Sequence, residues 1–262
     1  MGSIASDSPA ILELPSGSLP YLVRHSPRSR RLRITIDPAF GVVVSLPLPT
    51  RRGWAHPENL VETFLREREG WIRRHLDRLD RDRAVVASRG GVAEGSLLRY
   101  RGELHRLRFE SVDGRAPRST VIRQGNGLED ELLVRLASAD RRPAGRVLRD
   151  WFREHATIAI EREIEAHGPS LGVAPTAITL RDPRTRWGSA SREGRLSFSW
   201  RLVLAPAEAL ETVVIHELAH LRYFGHGPRF WGLVAGRRPD HRTWRAWLRE
   251  HSLELHSALS DG

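Results

Sequence analysis

Three histidines and one glutamate near the C-terminal end have the types and spacing that metal chemistry needs. His216, Glu217 and His220 follow the pattern H-E-x-x-H, and His226 comes six residues after His220. On a helix, His216 and His220 lie one turn apart on one face, where two imidazoles can reach one metal ion. Gly225 allows a turn that brings back His226 as a third ligand. The pattern therefore predicts a zinc site.

The number of ligands indicates what such a site does. Three protein nitrogens leave one position of tetrahedral zinc open, which is typical of a catalytic rather than a structural site. Glu217 lies beside the ligands and is expected to act as a general base on a water molecule. The alternative is an ordinary helix with core or surface histidines, because H-E-x-x-H also occurs by chance. The apolar segments 213–215 and 230–231 around the motif favour the metal site.

The elements around the motif must position these side chains. Residues 205–224 contain no glycine and no proline after the second residue, so a helix is expected to run to Gly225 and end there. Residues 177–181 and 195–204 are predicted as two strands, because both are short and rich in apolar and β-branched residues. A turn region that contains residues 184–189 joins them.

The remaining elements are predicted from hydrophobic periodicity. Strands are expected at residues 21–24, 31–37, 41–46, 97–100, 104–109 and 132–136, with a linker at 87–95 and a surface loop at 112–130. Helices are expected at residues 58–78, 144–166 and 242–255. These elements indicate an α+β protein with three segments: a flexible tail at 1–19, a small antiparallel β-rich unit with one long helix at 20–140, and a catalytic unit at 141–256.

Composition limits the kinds of partner and site. The chain has 262 residues and no cysteine, which excludes disulfides, a thiolate nucleophile and a cysteine-ligated zinc site. All 42 basic residues are arginine, and the formal net charge is +10. Such a charge suits nucleic acid, an anionic substrate such as a nucleotide, or a membrane surface, although interleaved Asp and Glu favour ordinary solvated helix faces. Residues 28–33 form the densest basic cluster. With no apolar run long enough to cross a membrane, a cytoplasmic protein without membrane contact is expected.

Several spaced motifs resemble a known family. They are Arg186-Trp187-Gly188-Ser189, Trp200-Arg201-Leu202, His216 to His226 followed by Phe230-Trp231, and Pro239-Asp240. In this order they resemble the YgjP-like metal-dependent hydrolases, which are related to the SprT and WLM zinc peptidases. The resemblance covers roughly residues 20–255. Two positions depart from the family pattern: Ala190 stands where the family usually has cysteine, and Ser199 stands where it has asparagine.

The resemblance implies a zinc-dependent hydrolase, most simply a metallopeptidase that acts on a peptide or protein. It implies His216, His220 and His226 as zinc ligands and Glu217 as general base. It also implies a minimal zincin-like fold of the gluzincin type, with a backing helix, a short sheet and the active-site helix. Residues 197–200 are expected as the sheet edge that pairs with an extended peptide.

The residues that contact the substrate are less well defined by the sequence. Candidates for substrate contact or oxyanion stabilisation are Arg186, Trp187, Ser199, Arg201, Tyr223 and His241. Each of them also has a structural interpretation, such as stacking, capping or core packing. Two other functions remain open at this point. One is hydrolysis of a nucleotide phosphoanhydride, with arginines binding the phosphates. The other is a nucleic-acid-associated module or protease with a zinc site.

Overall fold

The structure is a computed structural model, and it describes residues 8–27, 29–37, 40–50, 57–113, 118–125, 130–183 and 186–259. The described part is a mixed α+β protein with three small sheets and seven α-helices. It divides into two compact units, residues 1–84 and 85–262. The expected boundary at residue 140 is therefore displaced. The physical reason is that the sheet before residue 140 shares one core with the helix that follows it.

The first unit contains a four-stranded sheet. Its strands are β1 (Ser8–Leu14), β2 (Gly17–His25), β3 (Arg33–Asp37) and β4 (Gly41–Leu46), in the order β1-β2-β4-β3. Strand β3 lies at the outer edge and pairs with β4 in the antiparallel direction. Strand β4 lies between β3 and β2, and it runs parallel to β2. The sheet is thus mixed, which corrects the expectation of an antiparallel one. Residues 8–19, expected within a flexible tail, form β1 and part of β2 with buried leucines. Residues 1–7 and Arg28 lie outside the described residues.

Two helices complete this unit and lead into the next. The structure has α1 (Glu58–Glu67) and α2 (Glu69–Ser88) where one helix was predicted at 58–78. The chain departs from helical geometry at Arg68, two residues before Gly70, a residue type that weakens helices. The apolar faces of the two helices bury Leu65 and Ile72 in the core of the four-stranded sheet.

The second unit begins with another four-stranded sheet. It contains β5 (Leu97–Tyr100), β6 (Glu103–Val112), β7 (Thr120–Gln124) and β8 (Glu131–Ala137), in the order β5-β6-β8-β7. The predicted hairpin is confirmed: Arg101 and Gly102 both have positive φ, as a tight two-residue turn requires. Strand β7 lies within the segment predicted as a loop. Residues 114–117 and 126–129 lie outside the described residues.

A 28-residue helix, α3 (Ala144–Leu171), backs the second unit. It continues through Pro169, where the sequence predicted its end, and stops at Gly172, whose φ of 66° is left-handed. Its buried residues Phe152 and Ile160 pack in the same core as the sheet β5–β8 and the elements that follow. The helix therefore forms the rigid base on which those elements rest.

A three-stranded sheet follows, with β9 (Ala177–Arg181), β10 (Gly188–Ala190) and β11 (Arg195–Ser199) in the order β10-β11-β9. Strand β11 is central, since it pairs with β10 on one side and with β9 on the other. The edge beside the motif helix is thus β10, which corrects the expectation that residues 197–200 form the edge. Residues 200–204, predicted as strand, form a 3-10 helix after Ser199.

Four helices end the chain: α4 (Ala207–His220), α5 (Pro228–Arg237), α6 (His241–Glu250) and α7 (Ser252–Ser257). Helix α4 ends at His220, before Gly225, because the next three backbone N–H groups bond carbonyls of its last turn and tighten it. The closing helix predicted at 242–255 is divided between α6 and α7. Among the residues described, no helix has both the length and the apolar character to cross a membrane.

Candidate metal centre

Helix α4 presents three faces, and each has a different environment. Val214 and Leu218 enter the main core of the second unit. Ile215 and Ala219 pack instead with Phe230 and Val234 of α5 in a small separate cluster. His216 and His220 lie on the remaining face, toward the segment that leaves the helix. Because two apolar faces fix its rotation, α4 holds both imidazoles in place.

The three motif histidines converge. Their possible ligand atoms all lie within 4.8 Å of one another. The Nε2 atoms of His216 and His226 are 3.2 Å apart. Two nitrogens bound to zinc at about 2.05 Å in tetrahedral geometry would be about 3.3 Å apart. The histidine side chains therefore fit a tetrahedral metal ion.

The backbone after α4 fixes the orientation of His220. Nδ1 of this imidazole donates a hydrogen bond to the carbonyl oxygen of Tyr223 at 3.1 Å. With the proton on Nδ1, the Nε2 atom carries the free lone pair that a metal requires. Tyr223, expected from sequence as a substrate contact, thus contributes to the centre through its backbone.

Aromatic side chains of α5 enclose the histidines. The ring of Phe230 is almost fully buried and its centroid lies 4.5–4.9 Å from all three imidazole centroids. Trp231 stacks on His226 at 5.5 Å. Burial lowers the pKa of His216 to about 3, and it also lowers the pKa of His220. These imidazoles are therefore neutral at neutral pH, which is the form that binds a metal.

Glu217 is packed against the edge strand β10. Its side chain is 6% exposed. A Cβ atom added at Gly188 would lie 2.7 Å from both Cγ and Oε1 of Glu217, so only glycine leaves room for this carboxylate. Burial raises the pKa of Glu217 to about 7, and the Arg186 guanidinium acts in the opposite direction. A carboxylate in this environment can both accept and return a proton near neutral pH.

These groups open into a cleft of about 620 Å³. Its lining combines the candidate centre with residues of β10, α4 and α6, namely Trp187, Gly188, Thr212, Val213, His216, Glu217, His226, Arg242, Arg245, Ala246, Leu248 and Arg249. A volume of this size accommodates a ligand rather than a few water molecules.

Two of the predicted substrate residues lie at or near the cleft. Trp187 lines the cleft. Its ring stacks on that of His256, and the two ring centroids are 4.6 Å apart. Arg186 is exposed and acts electrostatically on Glu217. Arg184 and Thr185, which precede them in the predicted turn region, lie outside the described residues.

Three other predicted substrate residues are buried and do not line the cleft. The hydroxyl of Ser199 accepts a hydrogen bond from the backbone N–H of Arg201 at 3.3 Å and caps the 3-10 helix. The Arg201 guanidinium lies over the Trp200 ring and forms an ion pair with Asp182. Burial lowers the pKa of Arg201 to about 10.

The third of these residues is His241, which stacks on Trp231 at 5.3 Å, on a ring that also stacks on His226. His241 therefore reaches the candidate centre only through the ring of Trp231.

Two features of the centre were not inferred from the sequence. One is the close approach of Gly188 to Glu217, for which the sequence carries no signal, because it depends on how β10 lies across α4. The other is the row of arginines on α6. Their spacing at 242, 245 and 249 was a visible signal, since these positions share one helical face.

Two further groups among the described residues combine histidine and carboxylates at ligand distances. Glu163, His167 and Glu211 connect α3 with α4, and their carboxylates pair with Arg162 and Arg238. The second group is Glu103, His105 and Asp130. In that group Arg123 bonds both His105 and Asp130. The carboxylates of both groups thus already form ion pairs with arginine side chains.

A model of the YgjP-like metallopeptidase domain matches residues 30–251. The chain belongs to the YgjP-like family. This membership makes it a metal-dependent hydrolase, as the resemblance implied, and it extends over both units of the structure. No curated protein and no solved structure matches the chain.

Proposed function

We propose that this YgjP-like protein is a zinc metallopeptidase with His216, His220 and His226 as metal ligands and Glu217 as general base. The observation that carries the proposal is the convergence of three imidazoles beside a buried carboxylate at the floor of a cleft. A bound zinc ion would supply Lewis acidity and lower the pKa of a water molecule to about 7.

Glu217 has the environment of a residue that transfers protons. Held against Gly188 and shielded from solvent, it would take a proton from the attacking water and later give it to the leaving amine. The Arg186 guanidinium limits the rise in its pKa, so that the carboxylate is available as a base at neutral pH.

The edge strand β10 supports a peptide as the substrate. Its inner side pairs with β11, and its outer side is the end of the sheet. An extended peptide that adds to this edge would run past Glu217, because Gly188 lies against that side chain. The backing helix α3, the sheet and α4 then correspond to a minimal zincin-like arrangement of the gluzincin type.

A peptide pool analysed by mass spectrometry would test this proposal. The wild-type protein with zinc should cleave members of the pool, and Glu217→Gln should cleave them about 10²- to 10⁴-fold more slowly, because the proton transfer is lost. Glu208→Gln is the matched control, since Glu208 is an exposed glutamate in the first turn of the same helix. It should retain full activity.

A nucleoside triphosphate serves as the competing substrate in the same assay. Its hydrolysis with magnesium and without zinc, together with intact peptides, would contradict the proposal. Equal peptide cleavage by the wild type and Glu217→Gln would contradict the role of Glu217.

A further inference from the structure

Helix α6 forms one wall of the cleft and carries a row of arginines. Arg242, Arg245 and Arg249 are three and four residues apart, so they project from one face of the helix. All three line the same cleft as Glu217 and two of the candidate metal ligands. Three guanidinium groups thus face the place where a substrate would lie.

This wall has little negative charge to balance it. Glu217 is the one carboxylate among the cleft-lining residues described, and it is buried at the floor. Within the described ranges, no carboxylate lies within ion-pair distance of Arg242 or Arg245. Arg238, just before α6, differs because it pairs with Glu211 at 2.9 Å. Among the described residues, Arg242 and Arg245 therefore lack the carboxylate partner that many other arginines of the second unit have.

Arg245 is exposed, but its side chain packs on an aromatic ring. Its guanidinium carbon lies 4.5 Å from the ring centroid of Trp231, and that ring stacks on His226. Burial lowers the pKa of Arg245, and the neighbouring Arg249 and Arg242 lower it further. The cluster therefore carries like-charge repulsion that a bound anion would relieve.

We propose that the cleft selects peptides that carry carboxylates next to the scissile bond, with Arg242, Arg245 and Arg249 as the specificity-determining residues. This inference rests on the proposed peptidase function and names its substrate class. The carboxylates can come from Asp or Glu side chains or from a peptide C-terminus. Guanidinium groups bind either source through paired hydrogen bonds.

The cleft suits an acidic peptide better than a nucleotide or a nucleic acid. The apolar residues Val213, Ala246 and Leu248 line the cleft together with the arginines, as a ligand with mixed side chains requires. The aromatic residue in the described lining is Trp187, and its ring already stacks on His256. The edge of β10 adds backbone pairing that only a polypeptide can use.

Binding to the zinc-loaded Glu217→Gln protein would test the inference without turnover. Three fluorescent peptides of one length would carry Glu, Gln or Lys on both sides of a common central sequence, each with a free or an amidated C-terminus. The Glu peptide should bind about tenfold more tightly than the Gln peptide, and the Lys peptide should bind more weakly than both. Added salt should reduce these differences.

Charge reversal at one exposed arginine provides the matched comparison. Arg242→Glu in the same background should abolish the preference for Glu over Gln, and Arg242→Gln should reduce it. Arg141→Glu is the control, because Arg141 is exposed, lies in the same unit and does not line the cleft. It should leave the preference unchanged. A preference that persists in Arg242→Glu would overturn the inference.

The C-terminal arm identifies the source of the carboxylate. If amidation weakens the Glu, Gln and Lys peptides to the same extent, the cleft recognises the peptide terminus, and if the preference for Glu over Gln persists after amidation, the cleft recognises acidic side chains. Tighter binding of a nucleoside triphosphate than of any peptide would overturn the inference.

Wild-type cleavage separates this inference from the proposed function. A kcat/KM that is the same for the Glu, Gln and Lys peptides whether the C-terminus is free or amidated, and that is lost in Glu217→Gln, would overturn the charge preference and leave the peptidase in place. No cleavage of any peptide would count against the peptidase itself.

Discussion

Two groups of side chains at opposite ends of α4 have ligand atoms close enough to hold a metal ion, yet their surroundings differ. One is the motif cluster of His216, His220 and His226, and the other is Glu163, His167 and Glu211. In the motif cluster, apolar rings surround the imidazoles and a cleft opens beside them. In the other cluster, arginines already pair with both carboxylates.

This difference shows that ligand spacing is insufficient to define a metal site. A carboxylate that pairs with a guanidinium must lose that partner before it can bind a cation, and the exchange costs much of the energy gained. Neutral imidazoles without a charged partner carry no such cost. The motif cluster is therefore suited to bind a metal, whereas the second cluster is suited to join α3 to α4.

The largest expected effect is on metal content. His220→Ala removes one of the three proposed ligands, so the purified protein should fall from about one zinc ion per chain to near zero and lose all activity. His167→Ala is the control, because it removes a histidine from the arginine-paired cluster, and it should keep its zinc. Elemental mass spectrometry after zinc-replete expression measures both. Zinc retained in His220→Ala but lost in His167→Ala would reverse the comparison.

The next effect concerns the position of Glu217. Gly188→Ala places a Cβ 2.7 Å from Cγ of Glu217, so this carboxylate must shift. We expect about a 100-fold loss of kcat with unchanged zinc content, because small displacements of catalytic groups are costly. Gly232→Ala is a matched control in α5, where an added Cβ meets nothing within 4 Å. Full activity in Gly188→Ala would show that the close approach is unimportant.

A smaller effect is expected from the arginine-paired cluster. Glu211→Gln removes the carboxylate that pairs with His167 and Arg238, both at 2.9 Å. The free energy of unfolding should fall by about 1–2 kcal/mol, between the values for exposed and buried ion pairs. Urea denaturation measures this change, and the zinc content should stay the same. A drop in zinc content with no loss of stability would assign metal binding to this cluster.

The smallest effect is a change in pH dependence at His105. This imidazole is fully buried, and burial lowers its pKa from the ordinary value of 6.5. The unfolded chain then binds the proton more readily, so the free energy of unfolding should be highest above pH 6.5 and decrease as the pH falls below it. His105→Gln should make this decrease shallower between pH 6.5 and 5. Denaturation with a chelator present measures it, and an unchanged slope would contradict the assignment.

The sequence predicted the features that depend on neighbours along the chain. The family, the α+β class and the hairpin at Arg101-Gly102 are confirmed, since motifs, composition and turn chemistry are local properties. The convergence of His216 and His220 follows from helical spacing. Their role as zinc ligands, and the role of Glu217 as base, stay predictions.

Features that depend on distant parts of the chain were harder to predict. The family resemblance placed the edge of the three-stranded sheet at residues 197–200, which contain Phe198 and Trp200. The structure buries these two rings and places Gly188–Ala190 at the edge. Buried Arg201 was expected at the substrate, since sequence cannot show that Asp182 and Trp200 already engage it. Trp200 precedes Arg201 in the chain, but Asp182 becomes adjacent to Arg201 only after folding.

The shortness of β10 has a consequence for self-association. Sheet edges with unpaired backbone groups can template pairing between copies of a protein and lead to aggregation. An edge of three residues offers only a few backbone hydrogen bonds to another copy. A ligand that also binds the neighbouring arginines would gain further energy that a second, cationic copy of this chain cannot match. The edge can therefore stay open to a substrate without acting as a seed for intermolecular sheets.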